Sequence, residues 1–394
     1  MSEAFSIYLH YPWCITKCPY CDFNSYGLDK FTQQEKEYVE ALALEIEHYL
    51  SSANFCNLEL KSIFFGGGTP SLMSARSVEF LLKTIERLSK TNIAKLEITL
   101  EANPGSISEP VSAEKLKEFN DSGINRISLG AQSFSENKLT QLGRVHLPND
   151  IFKSVENITL AGFNNFNLDL IFGCKGEKFE DWMLDLNQAI NLNPKHISAY
   201  SLTIEPGTEF GRKARKGFKL TTSEEEMNQM YLEASEKLAK HGFERYEISN
   251  YAKVGCECTH NQLYWSGDSY LGVGAGAHSF LSSELPSHRW WNIPGPEDYM
   301  KRVQEKGIAI SSSEEIDLDK SKLEFLFLKL RTAQGFSSDQ LLSVFDNTEI
   351  EKIKSLKENL VSEGLMQNSK DFFQISPSGF SIADSIIESF AESL

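Results

Sequence analysis

The sequence lacks any apolar run long enough to cross a bilayer, any secretory leader and any lipidation motif. These absences argue against a membrane-spanning, exported or lipid-anchored protein and leave the cytoplasm as the expected compartment. Basic residues are in short supply: 39 Lys and Arg stand against 55 Asp and Glu, a formal charge of -16. A chain this acidic has no global attraction for nucleic acid or anionic lipid. Internal repeats and low-complexity tracts are absent as well, which excludes solenoids and arrays. Cysteine is sparse and odd in number at seven, which suits a reducing compartment better than a disulfide framework. What is present is 394 residues with 41% hydrophobic content, enough to bury a large core in about two or three domain-sized units.

Three of the cysteines fall in one short stretch near the start, residues 8–23, YLHYPWCITKCPYCDF. Cys14, Cys18 and Cys21 have CxxxCxxC spacing in a loop with two prolines and several aromatics, directly after an apolar run. A 4Fe-4S cluster normally takes four thiolates, so a compact loop that offers three leaves one iron open to bind a small molecule directly. The alternatives are a zinc site completed by His10, a disulfide, or cysteines incidental to an aromatic loop. Zinc sites usually show a second pair of ligands at a characteristic distance, and none is obvious in this sequence.

Up to about residue 253, short β-rich runs alternate with amphipathic helical stretches, the pattern of a parallel sheet with crossover helices. The predicted strands are 5–10, 60–65, 96–101, 126–132, 166–172 and 197–204. Helices are expected at 33–50, 75–89, 113–122, 151–161, 179–191 and 224–241. Six strand and helix units fit an incomplete (β/α)6 barrel, and by spacing alone an open doubly wound sheet serves equally well.

In parallel α/β folds ligands bind at the C-terminal ends of the strands, and polar residues interrupt the predicted strands at that edge. Gly66, Gly67, Gly68, Thr69 and Pro70 follow the second strand, where glycines let the backbone approach a ligand without a Cβ in the way. Glu101 ends the third strand, Gln132 the fourth, and Asp169 sits in the fifth. Taken singly, each reads equally well as a cap for the helix that follows.

Together, the cysteine loop, GGGTP, and the Glu101, Gln132 and Asp169 motifs resemble the radical S-adenosylmethionine superfamily. Nearly the whole chain is similar to its oxygen-independent coproporphyrinogen oxidases and their HemW-type relatives, regarded as haem chaperones. The resemblance favours the partial barrel. It implies a 4Fe-4S cluster on Cys14, Cys18 and Cys21, whose open iron chelates the methionine moiety of S-adenosylmethionine. It places contacts to that cofactor at Tyr8, Gly67, Gly68, Thr69, Glu101, Gln132, Arg144 and Asp169, with Thr203 as a weaker candidate through its backbone. A carboxylate for the ribose hydroxyls and another near a cationic group are sensible partners for this molecule.

Residues 254–295 carry little strand or helix periodicity and are dense in glycine, aromatics, histidine and cysteine, as functional loops often are. The stretch HNQLYW matches the HNxxYW motif that the resemblance associates with haem. It nominates His260 as iron ligand, with Asn261, Tyr264 and Trp265 around it; Cys258 is a possible thiolate and His278 the rival ligand. A packing role for His260 and Trp265 is the alternative. Residues 296–394 read as a mainly helical, winged-helix-like domain with one hairpin, 365–367 and 372–375. Residues 321–394 hold 7 Lys and Arg against 11 Asp and Glu, so no basic face for nucleic acid is expected.

The expected division is therefore 1–253, 254–295 and 296–394. The resemblance implies a haem carrier that delivers its cargo to acceptor proteins, membrane-associated respiratory proteins among them, and it allows a homodimer. The competing enzyme reading is oxidative decarboxylation of coproporphyrinogen III. Two departures count against it: Phe23 stands where the decarboxylating enzymes carry a further cysteine, and Cys14 lies close to the start, where they have a longer extension. A radical enzyme with another substrate, such as a methyltransferase, stays in reserve.

Overall fold

The computed structural model describes residues 4–27, 34–52, 55, 57–105, 112–282 and 285–394. Six parallel strands form the predicted barrel: β1 (Ala4–Tyr11), β2 (Glu59–Gly67), β3 (Glu97–Ala102), β4 (Arg126–Gln132), β5 (Phe166–Phe172) and β6 (His196–Ser201). They lie side by side in that order. The crossover helices are α1 (Glu35–Leu50), α2 (Ala75–Ser89), α3 (Ala113–Asp121), α4 (Pro148–Leu160), α5 (Phe179–Asn191) and α6 (Glu224–Lys240). Serines start several of them: Ser74 and Ser112 cap α2 and α3, and Ser223 forms a reciprocal capping box with Glu226 on α6.

Beyond β6 the sheet turns antiparallel through β7 (Glu244–Arg245) and β8 (Asn250–Ala252). Its other edge departs from the sequence expectation. Residues 254–295 are not an irregular connection but a helix, α7 (Thr259–Ser266), and three strands, β9 (Ser269–Val273), β10 (His278–Leu281) and β11 (Ser287–Asn292). β9 pairs parallel to β1, and β10, β11 and β12 (Ile310–Ile316) continue antiparallel. The cysteine loop therefore leaves a strand paired on both sides.

The boundary expected at residue 296 also shifts. Helix α8 (Pro296–Lys306) packs on α1, and Tyr299, Met300, Val303 and Ala309 join the barrel core. The reason is a buried carboxylate. Glu45 on α1 accepts hydrogen bonds from Gly274 N (3.0 Å), Asn292 Nδ2 (2.7 Å) and the Tyr299 hydroxyl (2.6 Å), tying α1, the β9–β10 turn, β11 and α8 together. Burial pushes its pKa up to about 7, and those three donors oppose the shift.

The C-terminal core starts at Leu326 and collects residues such as Phe336, Ile353, Phe373 and Phe390. It is built from α9 (Leu318–Leu330), α10 (Ser338–Val344), α11 (Asn347–Ser362) and α12 (Ala383–Ser393). The expected hairpin closes through an antiparallel Met366–Ile375 bridge, and Phe372–Phe373 pairs with Phe336–Ser337. Among the described residues no helix is long and apolar enough to cross a membrane.

Candidate cofactor and cargo sites at the barrel mouth

The cysteine loop is held by backbone contacts that its own sequence supplies. Trp13 is buried edge-on against Tyr11 and Tyr38 at 4.9 and 4.7 Å. Gly68 N donates to Tyr11 O (2.7 Å) and Thr69 N to Trp13 O (2.8 Å), which lays the glycine loop along the exit of β1. A Cβ on Gly68 would stand 2.6 Å from Trp13 O, so only glycine fits there. On the other side Asn24 Nδ2 donates to Ala275 O and Pro294 O, both at 2.9 Å.

Cys14, Cys18 and Cys21 are free, partly exposed thiols on the wall of one cavity of about 580 Å³, within the usual size of a small-molecule site. Gly67, Gly68, Thr69, Glu101, Gln132, Arg144, Asp169 and Thr203 line the same cavity. The structure thus gathers every residue expected at the cofactor except Tyr8, which faces the neighbouring cavity. His10 is not available to complete a zinc site. It is buried, Nε2 donates to Asn24 O (2.8 Å), Nδ1 accepts from the Tyr8 hydroxyl (3.1 Å), and burial lowers its pKa to about 4. Among the described residues no three His, Cys, Asp or Glu side chains are gathered closely enough for a single metal ion.

Around the cysteines the polar residues are fixed by one another. Arg144 reaches Cys18 Sγ (3.4 Å) and Gly130 O (2.9 Å), and its other partner is Asn103 Oδ1. Asn103 in turn donates to Thr69 Oγ1 (2.9 Å). Asp169 accepts from Asn167 Nδ2 (2.8 Å) and Ser128 Oγ (3.1 Å), not from a helix N-terminus, so the capping alternative falls. Glu101 accepts from Gly67 N (3.1 Å). Burial, with the Asp169 charge adding to it, pushes Glu101 up to about 8, and burial raises Asp169 too. Gln132 ends β4 at φ 65, a left-handed conformation that costs a non-glycine residue about 1–2 kcal/mol. Strain of this kind gathers at ligand sites, and here the next two residues are pinned by Asp185 of α5, which accepts from Ser133 Oγ and Phe134 N.

Sequence reasoning missed Asn103, Ser128 and Arg126 on this cavity. Arg126 is a buried cation at the first position of an apolar strand, a place where an unforced sequence would put a valine or isoleucine. That contrast was the available signal.

The haem candidates divide. His260 is 1% exposed: Nδ1 meets Ser62 Oγ and Nε2 the Tyr264 hydroxyl, both at 2.9 Å, and its ring lies 4.9 Å from Phe64. Cys258 is fully buried, with Sγ 3.4 Å from Glu97 Oε1, and burial pushes its thiol up to about 12. Glu97 also accepts from Thr259 N and His260 N, so β3 caps α7 and holds it as a plug inside the barrel. Neither His260 nor Cys258, the residues expected at the haem iron, lines the two cavities at the barrel mouth, because α7 aims them inward.

Asn261, Tyr264 and Trp265 do line a cavity, of about 1,250 Å³, between α7, the β9–β12 extension and α9. Phe23, Tyr200 and Phe327 on its walls are 61, 39 and 47% exposed, an unusual amount of bare aromatic surface for one space. Asp22, Phe23, Tyr200 and Asn261 border both cavities, so the two adjoin at Phe23.

The model of the Radical SAM superfamily matches residues 8–189. The heme chaperone HemW of Bacillus subtilis is 34% identical over 98% of this chain and 98% of its own length, and that of Escherichia coli 34% over 98% and 97%. HemW of Haemophilus influenzae is 40% identical over 75% of this chain and 76% of its own. Among solved structures, the coproporphyrinogen III oxidase HemN of Escherichia coli superposes with a TM-score of 0.82 at 21% identity, covering all of this chain and 91% of that one. At that identity the likeness speaks for the fold.

Proposed function

We propose that this chain, which belongs to the HemW family within the radical S-adenosylmethionine superfamily, is a haem chaperone that holds a 4Fe-4S cluster and S-adenosylmethionine beside its cargo. The observation that carries this reading is the adjoining pair of cavities: one walled by three free thiols together with Glu101 and Asp169, the other by exposed aromatic rings. Cys14, Cys18 and Cys21 hold the cluster in this reading. When bound, the cluster supplies an open iron for the amino and carboxylate groups of S-adenosylmethionine. Gly67, Gly68 and Thr69 offer backbone to that ligand, and Glu101 and Asp169 offer negative charge to its ribose hydroxyls and cationic centre. The wider cavity suits a flat apolar macrocycle, which is passed on to acceptor proteins.

The test uses the full, cluster-loaded chain under anaerobic conditions. Haem titration is expected to saturate near one equivalent, and addition of an apo haem protein to draw the haem away. Coproporphyrinogen III is expected to yield no vinyl product, since Phe23 occupies the place of the additional cysteine. Turnover to protoporphyrinogen IX would overturn the chaperone reading in favour of the oxidase.

A pH effect follows from Glu101. Its folded pKa, near 8, lies above the ordinary carboxylate value, so the stability it contributes without ligand is lost as pH rises through about 8. A cationic ligand favours the ionised form, and binding below that pH releases a proton. The affinity for S-adenosylmethionine is expected to rise roughly tenfold between about pH 7 and pH 9 and then level off. Calorimetry in buffers of different ionisation heat reads the proton, and Glu101→Gln should flatten the profile.

A further inference from the structure

The larger cavity is built asymmetrically. One wall is the antiparallel extension, where β10 and β11 place His278 opposite Trp291 and Phe280 opposite Arg289 on one face of the sheet. The other wall is α9, with Phe325, Phe327, Leu328 and Lys329. We propose that haem binds in this space with its iron on His278, and that His278, not the histidine of the HNQLYW motif, is the protein's iron ligand. The inference rests on the haem-chaperone reading above and deepens it.

Five observations support it. His278 is exposed on the cavity wall, and among the described residues neither of its ring nitrogens has a hydrogen-bond partner. Its ring lies nearly parallel to Trp291, 5.4 Å between centroids and 19° between planes, so its direction is already fixed before a ligand arrives. The other histidine on the cavity, His10, has both nitrogens engaged, and His260 is sealed in the barrel. Partial burial, with Arg289 as a second cause and Glu314 opposing, lowers the pKa of His278, the direction that favours the neutral ring a metal needs. At about 1,250 Å³ the cavity has ample room for a four-ring macrocycle.

Asp22, Glu247, Asp268 and Glu324 line the same walls, so a dicarboxylate cargo has one place to turn its propionates, toward Lys329. Arg289 is bound to Glu314 (2.9 Å) and doubly to Glu324 (2.8 and 2.9 Å), so its charge is already spent on acids and offsets only one of the two. Lys329 keeps donors to spare beyond its bond to Ser266 O (3.0 Å) and stands at the cavity as a propionate partner. A single histidine on one wall also suits a carrier. An acceptor's ligand can take its place at the iron by simple exchange, with no change of oxidation state.

The experiment titrates haem, and in parallel iron-free protoporphyrin, into the full cluster-loaded chain and its His278→Ala variant, followed by difference absorbance and porphyrin fluorescence. The variant is expected to show a shifted Soret band and a haem affinity lowered about tenfold or more, with protoporphyrin binding within about twofold of wild type and added imidazole restoring the Soret position. If His278→Ala keeps both Soret position and haem affinity, the proposal is overturned. Equal loss of protoporphyrin and haem overturns it too, because the residue would then shape the cavity rather than hold iron. A wild-type chain that binds no haem at all takes down the chaperone reading itself, and this ligand with it.

Discussion

Replacing Cys14, Cys18 and Cys21 together by alanine is expected to remove all bound iron and acid-labile sulfide, from about four of each per chain to background. No other cysteine described in the structure can take over. Cys174 and Cys258 are buried, and Cys256 is not on the cofactor cavity. Burial holds the thiols of Cys14 and Cys21 above their ordinary range, so loading the metal must displace their protons, and iron uptake should slow in acid. The fold should survive the triple substitution, because Trp13, Gly68 and Asn24 fasten the loop, and Arg144, which loses Cys18 Sγ, keeps Gly130 O and Asn103. Far-ultraviolet circular dichroism checks this. Iron unchanged in a folded triple variant would refute the cluster assignment.

The second large effect is expected at Asp169. In the cluster-loaded chain Asp169→Ala should weaken S-adenosylmethionine by roughly ten- to a hundredfold, the loss of one charge-assisted contact of about 1.5–3 kcal/mol. Calorimetry measures it directly. Asn167 and Ser128 hold the carboxylate in place from below, and burial makes its charge costly unless a ligand repays that cost. Unaltered affinity would reduce Asp169 to a brace between β4 and β5. Ser128→Ala offers a graded control, since it loosens the carboxylate without removing it.

The barrel was readable because its strands are short, largely apolar runs spaced by amphipathic helices, a pattern that burial on both faces imposes. The residues that line the smaller cavity were readable because polar side chains and glycines gather at the C-terminal edge of those strands. The β9–β12 extension was not. SHRWWN and HSFL place polar residues beside aromatics on a sheet that faces a helix layer on one side and a polar-rimmed cavity on the other, so neither alternation nor a clean apolar run develops. Burial by α8 was hidden for a related reason: it hangs on Glu45, a charged residue in a position that hydrophobic patterning treats as surface. The HNQLYW motif shows how residues drawn together by a motif can part company in space. Once it is a helix, His260 turns inward, Asn261 and Trp265 stand four apart on the cavity, and Tyr264 bridges the two, lining the cavity while its hydroxyl meets His260 Nε2.

The pairing of β1 with β9 puts a delay into the life of the nascent chain. At ~5–20 residues per second, the roughly 260 residues between Phe5 and its partner Ser269 take about 13–50 s to synthesise. Through that interval β1 has one edge open, and edges of this kind recruit other strands. Asn24 waits longer still, since its acceptors are the carbonyls of Ala275 and Pro294. The loop is made long before the segments that back it. A cluster held as proposed would, during translation, meet a loop without its outer support, which arrives only with residue 294.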